Sequence, residues 1–561
     1  MRDLSVRLAL VLLLSAFMLH ALTNGWLISR DTTPFVHDIS TDYASSAKLF
    51  FSLKSDFLES GAPLRRLYYH DTFVPPVSLL ISLPFFAIFG LSQDVALLSN
   101  LLPLAALLLG TFLLGRRLHS QMAGVLAAVL VSFYPFMFAL SRTYKPSFGM
   151  VSFLPIAIYA LLMSDGFSQR KYSLAFGCCA ALSVLTYPNA AVFLFAPALL
   201  AVGGIFLKAR ASPGRRYILV NLLLCALPPV LLVTPWLVWA FPEYIGHRLS
   251  VISVSLAGME QPWLLRLWHH HPLAILGAQL SLLGLLALLP ALLMYLRKRS
   301  RERYLILAWF LFPQLFFYLF IRNDSFAQLR YSVGNMPAIA LISVVGLLEL
   351  GELFASRGML PPAPSVLPLL LVVALALQFS AITFLGRYCP KEACSQDLAS
   401  RNYFGRFYPV TGPVDLEGIV GDFRRSSTRG RLRVLILAPA QDLSSGLMSL
   451  LELENLNPES PVRYDMVLWN SVWQRNRTVM QMPSRGTLYP LMAESDVIIF
   501  EDYDNRFAPR IEELLRPLEL AGVYSQWKEQ SSDFSPLLSV ELDGSREFVV
   551  HIKKESFSTS T

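Results

Sequence analysis

The sequence predicts a polytopic α-helical membrane protein that ends in a soluble α/β domain. Three observations carry this. The 561 residues are 54% hydrophobic and only 15% charged, against about 25% charged in a soluble globular chain. Apolar runs such as Leu8–Ile28 and Val366–Leu385 reach the ~20 residues that cross a hydrocarbon core. Beyond about residue 389 the long apolar runs stop, and short strand-like and helical patterns alternate. The expected division is therefore a membrane domain over 1–388, with 29–94 as its first outer loop and interfacial helices, and an extracytoplasmic α/β domain over 389–561.

The first run is long and has no small-x-small cleavage site before Trp26, so it reads as a retained span rather than a signal peptide. After it comes Val77–Leu91, short and interrupted by Pro84 and Gly90. If that run crossed, the later loops would have the wrong charge. Placed at the interface or as a re-entrant helix, it leaves spans at roughly 95–114, 121–140, 148–163, 172–187, 189–207, 217–241, 273–296, 303–321, 334–356 and 365–386. The loops carrying Arg116, Arg117, Arg170, Lys171, Lys208, Arg210, Arg215, Arg216, the Arg297–Arg303 cluster and Arg357 then all share the side of the N-terminus. That is the positive-inside pattern. About eleven spans plus interfacial helices follow, with the first loop, the Pro242–Pro272 loop, the Arg322–Tyr331 loop and the tail outside. The net charge of +8 is a topology signal; no basic stripe interleaved with aromatics suggests a nucleic-acid partner.

In the tail, RVLILAP (433–439), YDMVLWN (464–470) and DVIIFED (496–502) read as short buried strands separated by the helical patterns GLMSLLELE and PRIEELLRPLELAG. The end reads as a hairpin around Asp543-Gly544. No G-x-G-x-x-G follows the first strand, so dinucleotide binding is unsupported. Asn476-Arg477-Thr478 matches a glycosylation sequon, a weak pattern. Of five cysteines, Cys178, Cys179 and Cys225 sit in apolar runs as packing residues. Cys389 and Cys394 form a close pair after the last span: a small disulfide loop on an oxidising side, or two reduced thiols in a cytosolic tail.

The one long polar stretch ahead of residue 387 runs from His37 to Pro76 and holds Asp38, Asp42, His70 and Asp71. It opens on Asp38, Tyr43 and Ala44, and closes on Pro75-Pro76 and a run ending FAIFG (86–90). LLGRRL (113–118), ALSR (139–142), LTYPNA (185–190), TPW (234–236) and RYSVGNMPAIAL (330–341) follow in order. This succession resembles the GT-C integral-membrane glycosyltransferases, in particular the branch of protein O-mannosyltransferases and lipid A aminoarabinose transferases, over residues 1 to 390. The resemblance implies transfer of a sugar from a polyprenyl-phosphate donor to a lipid, glycan or protein acceptor on the extracytoplasmic face, and a cell membrane setting, the bacterial inner membrane. The chain departs from the family at His37-Asp38, where relatives carry Asp-Glu, at LTY for LTK, and after ALSR, where a carboxylate is replaced by Thr143-Tyr144-Lys145-Pro146-Ser147.

The chemistry requires a base for the acceptor and positive charge for the departing phosphate. By the resemblance Asp38 takes the place of the catalytic carboxylate; as bare sequence it is equally a helix cap. Asp42, four residues on, shares its helix face, as a site partner or a solvated first-turn acid. His70 and Asp71 offer support or hold a divalent metal ion, an option two adjacent residues leave open. Arg330, with Tyr331 beside it, suits phosphate by its guanidinium geometry; Arg142 and Lys145 form a second cationic pair. Each also fits an interfacial anchor. His269–His271 cannot all face one ion and read as an interfacial segment. Two other classes stand beside the transferase. A transporter would show ionisable residues in mid-span and paired broken helices. A catalytically silent GT-C-like scaffold would explain the missing Glu after Asp38.

Overall fold

The computed structural model describes residues 5–56, 74–208, 215–257, 272–320, 330–359, 364–389, 401, 405–410, 412, 414–437, 443–457, 460–468, 492–501, 527–528, 531–541 and 547–556. By contacts the chain divides into two units. One comprises Met1–Arg30 with Asp56–Pro409, the other Asp31–Ser55 with Val410–Thr561. By contacts the break in the tail falls after Pro409. Residues 31–55, expected with the membrane domain, group with the tail.

The first unit is helical: α1 (Val6–Ile28), the short α3 (Pro76–Leu80) and α4 (Leu83–Phe89), α5 (Gln93–Leu98), α6 (Leu101–Leu118), α7 (Gln121–Phe133), α8 (Pro135–Ser141), α9 (Pro146–Met163), α10 (Arg170–Thr186), α11 (Ala190–Lys208), α12 (Arg215–Ala257), α13 (Pro272–Arg297), α14 (Arg301–Phe320), α15 (Met336–Ser356) and α16 (Val366–Leu385). Among the described residues seven helices are long and apolar enough to cross a membrane, eight if the bent α7–α8 pair is one span. Helices α10, α11 and α14 occupy the remaining expected positions. Large apolar side chains face outward on α1, α12 and α16, Leu22 at 68%, Leu223 at 71% and Leu377 at 67% exposure. Water would penalise such belts; lipid does not.

The Val77–Leu91 run is, as expected, no span: it is two short helices meeting at Ser82. Three expectations change. The span at 121–140 breaks by 72° at Tyr134, because the ring of Pro135 drives the preceding residue out of the helical region, to φ −60°, ψ 132°. The span at 273–296 is interrupted at Ser281, with φ 66°. The outer loop expected from Pro242 is helical as far as Ala257; Ile245, Leu249, Ile252 and Leu256 repeat at i, i+4, i+7 and i+11, a helical spacing that outweighs the proline.

Two ends of this bundle are polar in different ways. At one end Arg303 bonds Glu349 and the Tyr295 carbonyl. Lys298 lies 2.9 Å from Glu349, Arg117 3.5 Å from Glu302, His119 3.8 Å from Glu352 and Arg301 3.6 Å from Asp165. These are the ends of α6, α9, α13 and α15 and the start of α14, the loops that the charge pattern assigns to one side. Between the ends, small residues bring backbones close. A Cβ on Gly124 of α7 would lie 2.5 Å from the Phe112 carbonyl oxygen of α6.

The second unit contains α2 (His37–Asp56), α17 (Leu416–Ser426), α18 (Leu443–Leu456) and a five-stranded sheet. The strands are β1 (Arg431–Leu437), β2 (Arg463–Leu468), β3 (Val497–Glu501), β4 (Phe534–Glu541) and β5 (Glu547–Lys553), in the order β2-β1-β3-β5-β4. β1 lies parallel to β2 and β3; β5 runs antiparallel to β3 and β4. The three expected strands, the GLMSLLELE helix and the strands flanking the expected hairpin are thus present, whereas its turn, PRIEELLRPLELAG and the sequon lie outside the described residues. Central strands β1 and β3 are apolar and buried over Val434–Leu437 and Val497–Phe500, as covered parallel strands must be. Buried Asp496 locks their edge, accepting from Arg429 Nη1 at 2.6 Å and from the Arg433 amide at 2.8 Å. Helix α17, which the sequence reading did not anticipate, is capped by Asp415, whose Oδ1 accepts from the Gly418 amide at 2.9 Å.

The α6–α7 contact gives a direct test. Gly124→Val forces side-chain atoms into the Phe112 backbone. We expect it to destabilise the detergent-solubilised protein by about 1–3 kcal/mol, read as a lower thermal unfolding midpoint, with Gly25→Val, where no atom lies near, unchanged.

Candidate active site

Asp38 stands in the first turn of α2 and is exposed; Asp42, one turn on, is half-buried. The helix buries Ile39, Tyr43, Ser46 and Ala47. Ahead of it Asp31 Oδ1 accepts from the Thr33 amide at 2.9 Å, a local turn that aims the chain into the helix. The Tyr43 ring meets Phe35 edge-on at 5.6 Å. Thr32 bonds the strand of chain at 410–412 through its amide to Val410 and through its hydroxyl from Gly412. Asp38 therefore lies in the first turn of α2, with Asp42 one turn further along.

The cationic candidates fall in the other unit. Arg142 ends α8 and is 1% exposed. Its Nε donates to Asn24 of α1 at 2.9 Å; its Nη1 donates to Thr383 of α16 at 3.1 Å and to the Phe407 carbonyl at 2.8 Å. The guanidinium stands beside the touching rings of Phe138 and Phe379, 5.0 and 5.2 Å from their centroids. Asn100 at the head of α6 donates to the carbonyls of Ser141 and Thr143, and the Arg406 amide donates to Thr143 Oγ1. Arg142 is placed as a tie between four segments, its donors turned toward protein.

The next residues form the rim. Tyr144 donates its hydroxyl to Ser82 Oγ at 2.9 Å, fastening the α3–α4 joint to the loop. Lys145 is the N-cap residue of α9 and is buried. Arg330 is half-buried beside Tyr331: Nη2 donates to the Tyr331 hydroxyl at 3.3 Å, and the guanidinium stands 5.2 Å from the Tyr331 ring. Tyr331 in turn stacks on Phe317 of α14. The turn that follows is held by Gln279 of α13, which donates to Ser332 Oγ at 2.9 Å. Two residues past Gln279 the helix breaks at Ser281, a serine in the left-handed region. A groove of about 770 Å3 opens there between α13 and α16, lined among others by Gly277, Ser281, Leu285, Leu377 and Tyr388.

The structure thus brings Asp38 together with Asp42, Arg142 with Lys145, and Arg330 with Tyr331. His70, Asp71 and Cys394 lie outside the described residues; Cys389 is disulfide-bonded. Among the described residues no three His, Cys, Asp or Glu side chains converge on a metal position. Asn24, Asn100, Thr383 and Gln279 were missed by the sequence reading. Their signal is an amide or hydroxyl near the end of an apolar run, which marks an internal bond.

Comparison with known proteins fits this arrangement. Residues 74–239 match the family model described as dolichyl-phosphate-mannose-protein mannosyltransferase. The crystal structure of ArnT from Cupriavidus metallidurans in the apo state superposes with a TM-score of 0.58 at 13% identity, covering 96% of this chain and 97% of that one. The same protein bound to undecaprenyl phosphate gives 0.55 at 14% identity, over 97% and 98%. The Archaeoglobus fulgidus oligosaccharyltransferase tethered to an acceptor peptide gives 0.51 at 13% identity, over 92% and 71%. The chain has the GT-C glycosyltransferase fold. No curated protein sequence matches it. The GT-C likeness extends through the C-terminal α/β unit, since the ArnT match spans nearly the whole of both chains. The sequence resemblance had stopped near residue 390.

The tie at Arg142 is testable. Arg142→Met leaves Asn24, Thr383 and the Phe407 carbonyl without their donor, at roughly 1–3 kcal/mol for each buried group left unpaired. We expect a fall of many degrees in the thermal midpoint of the purified protein. Arg330→Met, at a half-buried position, should change it little.

Proposed function

We propose that the protein is an integral-membrane glycosyltransferase that moves a sugar from a polyprenyl-phosphate donor to an acceptor on the extracytoplasmic face. The observation that carries this reading is the near full-length match to an ArnT structure holding undecaprenyl phosphate. The family match over 74–239, named for a lipid-phosphate-linked sugar, supports it.

In this reading the Asp38 carboxylate accepts the proton of an acceptor hydroxyl. The acceptor oxygen attacks the anomeric carbon and forms the new glycosidic bond. The bond from that carbon to the phosphate oxygen breaks, and the electron pair leaves with polyprenyl phosphate, whose negative charge grows on departure. Arg330, steadied by Tyr331, and Lys145 supply the compensating positive charge. Arg142 acts one step back, keeping the Thr143–Lys145 loop in shape. The groove between α13 and α16 offers the isoprenoid chain an apolar bed open to the bilayer. Asp42 accompanies Asp38 on the helix face. A divalent metal ion held by His70 and Asp71 is an extension that this reading does not need.

A transporter is less favoured. The carboxylate candidates sit on α2, in the unit that carries the sheet, and Asn24, Asn100, Arg142 and Thr383 of the bundle engage in fixed bonds. In membranes supplied with labelled mannose or aminoarabinose on polyprenyl phosphate, Asp38→Asn should lower transfer by about 100- to 10,000-fold, the usual worth of a positioned base. Undiminished transfer would remove Asp38 from the role, and no transfer from either donor by the wild type would favour a silent scaffold. Arg330→Gln should lower transfer about 10- to 100-fold, in line with the loss of one charge-stabilising group or somewhat less. Alkaline phosphatase fused at residue 390 should be active, as an extracytoplasmic tail requires.

A further inference from the structure

The helix that bears Asp38 belongs, by its contacts, to the unit built on the C-terminal sheet. Two contacts on α18 fix it there. The first is steric. Gly446 lies against the backbone just ahead of α2: a Cβ at Gly446 would stand 2.4 Å from the Phe35 carbonyl oxygen and 2.7 Å from Leu416 Cδ1. Phe35 is three residues before Asp38 and itself fully buried, so any displacement of that carbonyl is passed directly to the first turn. The second contact is ionic. Lys48 Nζ pairs with Glu452 Oε2, ten residues past Asp38 along the same helix. One contact sets where α2 starts; the other sets its direction.

We propose that the C-terminal α/β unit is the positioning platform for the base, and that Gly446, Lys48 and Glu452 are positioning residues for Asp38. This rests on the transferase reading given above. It assigns a role to a domain that otherwise has none: α18 holds the helix from which the carboxylate projects. No acceptor or donor contact by the domain itself is needed.

The test uses the full-length protein in membranes, with polyprenyl-phosphate mannose and polyprenyl-phosphate aminoarabinose as donors. Lys48→Glu and Glu452→Lys place like charges opposite each other. Each should lower kcat about fivefold, the upper range for a partly exposed pair, with the donor KM within about twofold, since a positioning loss falls on the chemical step. The double exchange Lys48→Glu/Glu452→Lys should restore kcat. Gly446→Ala should lower kcat about 10- to 100-fold, in keeping with the sensitivity of a reacting group to a shift of about 1 Å. Should Gly446→Ala fail to fold, the charge exchange still decides. The proposal is overturned if the single reversals leave kcat unchanged, if the double exchange fails to restore it, or if KM rises instead of kcat falling. Asp38→Asn in the same assay separates the two levels. If Asp38→Asn is inactive and the reversals are silent, positioning alone is wrong. If Asp38→Asn is fully active, Asp38 is not the base and the positioning proposal falls while the transferase reading stands; if the wild type transfers neither sugar, both fall.

Discussion

A guanidinium buried in a membrane protein must find its partners inside the protein, because lipid supplies none. Arg142 meets most of that demand through its Nε and Nη1 with Asn24, Thr383 and the Phe407 carbonyl, which lie 118, 241 and 265 residues away in sequence, while Nη2 has no hydrogen-bond partner among the described residues. Only a chain that folds its first span, its last span and the segment after it around the end of α8 can bury this charge without a large penalty. The residue therefore specifies closure of the bundle as well as contributing to its stability. Isolated attraction would not do this; the cost of leaving the donors unmet does. The aromatic faces of Phe138 and Phe379 complete the enclosure. Phe379 also packs on His20 of α1, at 5.2 Å, so the two outermost spans share one cluster.

The ends of the bundle differ in kind, and the difference follows from chemistry. At the end collecting Arg303, Glu349, Lys298 and Glu352, charges meet charges. Long basic side chains there can reach water while their stems stay among apolar neighbours. At the Arg142 end, amides, hydroxyls and carbonyls take over, and the loops carrying Tyr144 and Ser82 are fastened to one another. At this second kind of end each bond fixes a direction as well as a distance. A reaction that needs a lipid phosphate, a sugar and an acceptor in register gains from such a frame.

Much of this was legible in the sequence, and the exceptions are instructive. Apolar length and loop charge gave the helices and the sharing of ends by the basic loops, because both report directly on the solvent each segment meets. The bend at Tyr134 was equally present, in Pro135, but hydropathy averages over a break that costs no apolar residue. Arg142 read as a phosphate-binding cation or an interfacial anchor because sequence shows its place at the end of a span and not partners more than 100 residues away. The grouping of α2 with the tail was invisible for a similar reason. Gly446 and Glu452 are ordinary residues of an amphipathic helix, and nothing local says that one of them must admit the Phe35 backbone. Asp38 was singled out by its family pattern; its exposure and its place in the first turn of a helix needed coordinates.

That place bears on how the proposed base would work. Asp38 stands in the first turn of α2 and is exposed, and a carboxylate is by nature ionised at neutral pH and a weak base. For many reactions this would be a handicap. Glycosyl transfer from a phosphate differs, because bond breaking to an already activated leaving group runs ahead and leaves the sugar with oxocarbenium character. The attacking hydroxyl then becomes acidic only as its new bond forms, and a weak, correctly aimed carboxylate suffices to take the proton late. Aim matters more than basicity in such a step. A helix whose start is set by a backbone-to-glycine contact, and whose middle is tied by an ion pair, provides that aim.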